Sequence, residues 1–218
     1  MITVLPFVDG VIFITYNSNK TKEAILISAL KEFSTYGYSE ASLRRITKNA
    51  EVTTGALYRH FLGKEDVFRA LIEPAYSTLI AYMQESYNGY CEELKLIPMK
   101  MDWNNQHYIE KIVCHIYDNF DAFKLLVSAS EQSSFEDFSK ELISLDLKMT
   151  SDYMEKARAL GYDINVFDKD LLHILIRAQY EMLFELVRKE VPRKKAEEYT
   201  KVTYQFLAKG WEHIFFMK

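Results

Sequence analysis

The chain has 218 residues, enough for one large or two small domains, and is 49% apolar with 14% aromatic residues, which excludes an intrinsically disordered protein. Seven glycines and four prolines give too little punctuation for a β-rich fold, and two cysteines exclude a disulfide framework. The net charge of −4 argues against a uniformly basic nucleic-acid binder, but it is unevenly spread: residues 20–64 carry eight basic and four acidic side chains, +4, leaving −8 on the remainder. A small module able to meet phosphates is thus joined to a body that would repel them.

Residues 1–18 form an extension. Its apolar run is broken by Pro6 and Asp9, has no basic residue ahead of it and no small-residue cleavage site behind it, and is too short to span a bilayer. The stretch "FVDGVIF" reads either as a hairpin arm turned at Asp9-Gly10 or as sequence upstream of the true start. Reduced cysteines and the lack of a membrane segment make a cytoplasmic protein the expectation.

From Asn19 the pattern is helical. Ile25, Ala29, Phe33 and Tyr36 share one helix face, and Gly37 is placed to end that helix in the left-handed conformation. Ser42 is expected to cap a second, short helix whose inner face is Leu43, Ile46 and Ala50. Thr53 should cap a third that buries Leu57 and Phe61. A fourth opens at Gly63, with Glu65 and Asp66 favoured in its first turn, and runs to about residue 88. "NGYCEELKLIPMKMDWNN" reads as a linker, followed by helices near 104–116, 119–129, 135–160, 168–190 and 193–216. Gly161 should close the third of these, and Pro192 should sit in the first turn of the last.

The stretch "SLRRITKNAEVTTGALYRHF" has the size and apolar spacing of a helix-turn-helix, whose second helix enters the DNA major groove by its N-terminal end. Thr53, Thr54, Gly55 and Ala56 are short enough for close approach to base edges. Tyr58, Arg59 and His60 follow one turn later, placed for phosphates. Arg44 suits a bidentate contact to guanine, and Lys64 adds a cation at the start of the fourth helix. The competing reading is a merely solvated helix face.

Over about 50 residues, "TKEAILISALKEFSTYGYSEASLRRITKNAEVTTGALYRHFLGKEDVFRAL" resembles the N-terminal DNA-binding domain of the TetR family of bacterial transcriptional regulators. The resemblance implies base-facing positions for Arg44, Thr53, Thr54, Gly55 and Ala56, and phosphate contacts for Ser42, Tyr58, His60 and Lys64. It also implies an all-α chain in two parts: a three-helix helix-turn-helix domain over 19–66, and a helical ligand-binding and dimerisation domain over 67–218. Two positions depart from the family's commonest pattern. Glu51 stands in the turn where glycine is frequent, and Thr47 stands where alanine usually packs.

By that resemblance the partners are a palindromic double-stranded DNA operator, a second copy of the chain docked through the last two helices, and a small-molecule effector of unknown identity. No cofactor, metal or membrane is expected. The last two helices are apolar around more than one face, which calls for burial on two sides. A stock of aromatics and methionines, with Tyr87, Trp103, Tyr108, Tyr117, Phe123, Met149, Tyr153 and Tyr180 as candidates, suits an effector pocket, although each fits ordinary core packing as well. His107, Cys114, His115 and Cys91 lack zinc-like spacing, and no nucleophile set or phosphate loop points to an enzyme. The expected function is a repressor released by its effector. The alternative is an all-helical small-molecule-binding or scaffolding protein that does not bind an operator.

Overall fold

The computed structural model describes residues 18–96, 106–128 and 134–216. The hairpin or arm expected within 1–18 falls almost wholly outside these residues, as does Trp103. The described residues are helical, without a strand: α1 (Ser18–Glu40), α2 (Leu43–Asn49), α3 (Thr54–Tyr58), α4 (Lys64–Leu96), α5 (Gln106–Asp118), α6 (Phe120–Ser128), α7 (Ser134–Ala159), α8 (Lys169–Arg188) and α9 (Arg193–Phe216). Helices α2 and α3 pack on α1 and on each other, α1 packs on α4, and α6 also lies against α1. The body is built from α4 against α5, α6 and α7, with α8 and α9 beyond.

Gly37 does interrupt α1, but at φ 72° and ψ 171° it lies outside the left-handed helical well, in a region that only glycine adopts readily. A further turn runs on to Glu40. Tyr36, expected on the inner face, is half-exposed and carries the Arg45 guanidinium over its ring at 4.4 Å. The inner face is otherwise as expected: Ile25, Ala29 and Phe33 are buried with Ile46, Leu57 and Phe61. Phe68 of α4 completes the packing, with ring centroids 5.2 Å from Phe33 and 5.0 Å from Tyr38.

Helix α4 does not stop near residue 88. It runs through Gly89 because Tyr90, Cys91 and Leu94 find an apolar surface on Tyr153, Ala157, Tyr162 and Ile164. Burial against a neighbouring helix outweighs the roughly 1 kcal/mol that an interior glycine costs. Gly161 (φ 89°) closes α7 with paired bonds, Gly161 N–H to Arg158 O at 2.9 Å and Tyr162 N–H to Ala157 O at 3.1 Å. Pro192 lies just ahead of α9 rather than in its first turn, and its carbonyl accepts from Ala196 N–H at 3.0 Å.

Candidate nucleic-acid interface

Helix α3 has only five residues and forms because its ends are tied. Thr53 accepts Ala56 N–H on its side-chain oxygen at 3.1 Å, while Leu57, fully buried, anchors the helix to the core. Its carbonyl then accepts His60 N–H and Phe61 N–H, both at 2.9 Å.

Ser42 occupies the capping position of α2, but its side chain makes no capping bond. Glu32, buried on α1, takes the Ser42 N–H at 2.8 Å instead. The same carboxylate pairs with Arg45 at 2.6 Å, and Arg45 also donates to Glu40 O at 2.6 Å. Arg45 is therefore committed to bracing the α1–α2 corner. Its neighbour Arg44 points outward and has no ion pair among the described residues. Ser28 Oγ–H donates to Ile46 O at 2.9 Å and fixes α2 on α1, and Thr47 is buried with its hydroxyl donated to Arg44 O at 3.1 Å.

The turn between α2 and α3 has two linked bonds, Glu51 N–H to Lys48 O at 3.2 Å and Val52 N–H to Thr47 O at 3.0 Å. This is the glycine-type helix terminus, here with Glu51 at φ 54°. The turn keeps its shape, and the glutamate bears a conformational cost of about 1 kcal/mol. Glu51→Gly is expected to stabilise the fold by about 0.5–1 kcal/mol, the gain being reduced by the freer unfolded chain. Thermal denaturation would read this as a rise of roughly 1–4 °C. An unchanged or lower midpoint would show that the turn is unstrained.

The outcome is one outward face. Arg44, Thr53, Thr54, Gly55, Tyr58 and Arg59 are exposed, and Ser42, Ala56 and His60 are partly so. A methyl group added at Gly55 would meet only Thr53 Oγ1, at 3.9 Å, so the fold itself leaves room there for a larger residue. Lys64 is more occupied than the sequence implied: its ammonium donates to Ser39 O at 2.9 Å and Ala41 O at 3.4 Å and lies 4.8 Å from the Tyr38 ring centroid. One of its three N–H donors remains for a phosphate. Packing adds a cation that no local pattern in the sequence marks, the exposed Lys22 of α1, 5.8 Å from the Phe61 ring centroid.

In the body, a cavity of about 240 Å³ lies between α4, α5, α7, α8 and α9. Of the eight pocket candidates, Tyr87, Tyr108, Met149, Tyr153 and Tyr180 line it. Tyr117 and Phe123 do not. Tyr117 donates its hydroxyl to Val191 O at 2.7 Å, and Phe123 is a core residue packed edge-on against His115. Asp146, which the sequence did not single out, stands in the cavity wall and accepts from Tyr180 Oη at 2.8 Å and Thr150 Oγ1 at 3.1 Å. Burial pushes its proton affinity up, against the pull of those two hydrogen bonds, and burial likewise holds the Tyr180 and Tyr108 phenols well above their ordinary value. His115 bonds Ala75 O at 2.7 Å, and no cluster of metal-ligating side chains occurs among the described residues.

Comparison with known proteins agrees with this geometry. The family model for bacterial regulatory proteins of the tetR family matches residues 25–71. An HTH-type transcriptional regulator of Staphylococcus aureus is 26% identical over 171 residues, covering 76% of this chain and 91% of that one. The regulator AcrR of Shigella flexneri is 42% identical over 62 residues, 28% of this chain but only 29% of AcrR. The chain thus spans less than a third of some of the relatives it matches, and what those proteins sense or control stays with them. Among solved structures, a TetR-family regulator from Rhodococcus RHA1 shares the fold at 17% identity, with a TM-score of 0.58 over 86% of this chain and 97% of that one. GusR of Salmonella enterica aligns with the same TM-score at 15% identity, over 89% and 98%. Residues 25–71 are thus a domain of the bacterial regulatory proteins of the tetR family, here an outward-facing helix-turn-helix, and the described residues share the all-helical fold of solved regulators of that family.

Proposed function

We propose that the protein is a cytoplasmic repressor that binds a near-palindromic operator as a homodimer and leaves it when a small molecule occupies the cavity of the body. The observation that carries this reading is the exposed row on α2 and α3: Arg44, Thr54, Tyr58 and Arg59 make no internal side-chain bond among the described residues, and α3 is anchored by a fully buried Leu57. In it Arg44 is the guanine reader, Thr53, Thr54, Gly55 and Ala56 approach base edges, and Ser42, Tyr58, Arg59, His60 and Lys64 meet phosphates.

Self-association is supported by two apolar stripes that the isolated chain leaves in water. Leu171, Ile174 and Ala178 follow one line on α8, and Tyr199, Val202 and Phe206 follow another on α9. Spacings of three and seven residues keep each line on one helix face. Two recognition helices related by a two-fold axis would read half-sites about 34–36 Å apart, one DNA turn. Among the described residues no helix is long and apolar enough to cross a membrane.

The experiment is selection of bound duplexes from a random DNA pool by the purified, ligand-free protein at modest salt. Enrichment of one near-palindrome with half-sites about one turn apart is the expected result. If no sequence is enriched, the operator reading is wrong, and the alternative of a helical small-molecule-binding or scaffolding protein takes its place.

A further inference from the structure

The cavity wall is unusual in its charge. Asp146 is its carboxylate, and no lysine, arginine or histidine is among the described residues that line it. The two groups bonded to that carboxylate, Tyr180 and Thr150, are neutral, and each engages a different oxygen. A carboxylate oxygen has two lone pairs, so both retain capacity for another donor. A half-buried carboxylate with no cationic partner among the described residues is costly, and the direction in which burial drives its proton affinity expresses that cost. A proton can neutralise it, and so can a cation that enters the cavity beside it.

The rest of the wall points the same way. The rings of Tyr108, Tyr153, Tyr204 and Trp211 line the space, and aromatic faces attract cations through their quadrupole; that of Tyr87 already carries the Lys156 ammonium, 5.1 Å from its centroid. Ser86 Oγ, in the same wall, is buried without a hydrogen-bond partner among the described residues. An anionic guest would find a negative group and, among the described lining residues, no cation to meet it. The volume of about 240 Å³ lies below the usual range for drug-sized ligands, which limits the guest to a single ring or a short chain with its head group.

We propose that this cavity takes a small lipophilic organic cation of the amine class, with Asp146 as its counter-ion and the tyrosine and tryptophan rings around its apolar body. The inference deepens the effector reading given above and rests on it for the link to DNA release, but the charge preference is measurable without DNA.

Three ligands of one frame test it by calorimetric titration of the full chain: 3-phenylpropylamine, which is cationic at neutral pH, uncharged 3-phenylpropanol and anionic 3-phenylpropionate. The amine is expected to bind at least about tenfold tighter than the alcohol, and the propionate weakest. Asp146→Asn keeps the shape and a hydrogen-bond acceptor, and should erase the amine's advantage while leaving the alcohol's affinity within about twofold. The proposal is overturned if the amine binds no tighter than the alcohol, if its advantage survives in Asp146→Asn, or if none of the three binds. The comparison on the unsubstituted protein decides the charge preference even if the variant does not fold. An amine that binds with the predicted preference yet fails to release a selected operator supports the proposal and counts against the effector reading alone.

Discussion

Arg44→Ala is expected to weaken operator binding by about 1–3 kcal/mol per half-site, and by about twice that in a two-fold complex, with no change in melting temperature. The side chain is exposed and makes no ion pair among the described residues, so the fold loses nothing when it is cut back. The loss should be specific, because a bidentate arginine discriminates guanine from other bases, whereas a phosphate contact weakens binding to every sequence alike. Anisotropy titrations at one fixed salt concentration, on the selected operator and on an unrelated duplex, separate the two. A variant that binds both duplexes as tightly as the parent would remove Arg44 from the interface. Arg45, adjacent in sequence, is a poor control: it is held by Glu32 and Glu40, and its removal would loosen the corner on which α2 stands.

Leu57→Ala reaches the same loss of DNA binding by another route. Leu57 is the buried anchor of a five-residue helix that could not persist by itself, and truncating such a leucine costs about 2–5 kcal/mol. The thermal midpoint should fall by roughly 5–15 °C. Operator binding should fall with it and recover on cooling, since the exposed reading residues are untouched. A variant that melts like the parent would mean that α3 is held by its Thr53 cap and flanking turns rather than by this side chain.

How much of this was legible in the sequence depended on how local its cause is. The α2–turn–α3 segment could be read because its determinants lie within a few residues: Thr53 as cap, Leu57 and Phe61 one turn apart, Glu51 at the position of positive φ. Ser42 was misread as a side-chain cap because the group that settles its N–H, Glu32, lies ten residues upstream on another helix. The end of α4 was set too early because Gly89 reads as a break, while the apolar surface that carries the helix past it belongs to α7 and residues beyond it. Aromatic content picked out Tyr108, Tyr153 and Tyr180, but the same criterion took in Tyr117 and Phe123, which face away from the cavity. Asp146 left no signal in the sequence. On an amphipathic helix, a carboxylate between Leu145 and Leu147 looks like any solvated residue until α8 brings Tyr180 against it.

Phe68 stacks edge-on against both Phe33 and Tyr38, and the buried row that begins at Ile25 continues through Val67, Phe68 and Ile72 of α4 to Phe123 and Leu126 of α6 without a gap. The reading head therefore has no seam at its lower edge. A transplant of α1–α3 alone onto another protein would leave Phe33 and Tyr38 facing water where Phe68 of α4 had been, at about 25 cal/mol for each Å² of apolar surface uncovered. On the function proposed above, DNA specificity is open to change in the exposed row of α2 and α3 alone, whereas exchange of the whole three-helix unit has to carry the opening turns of α4 along.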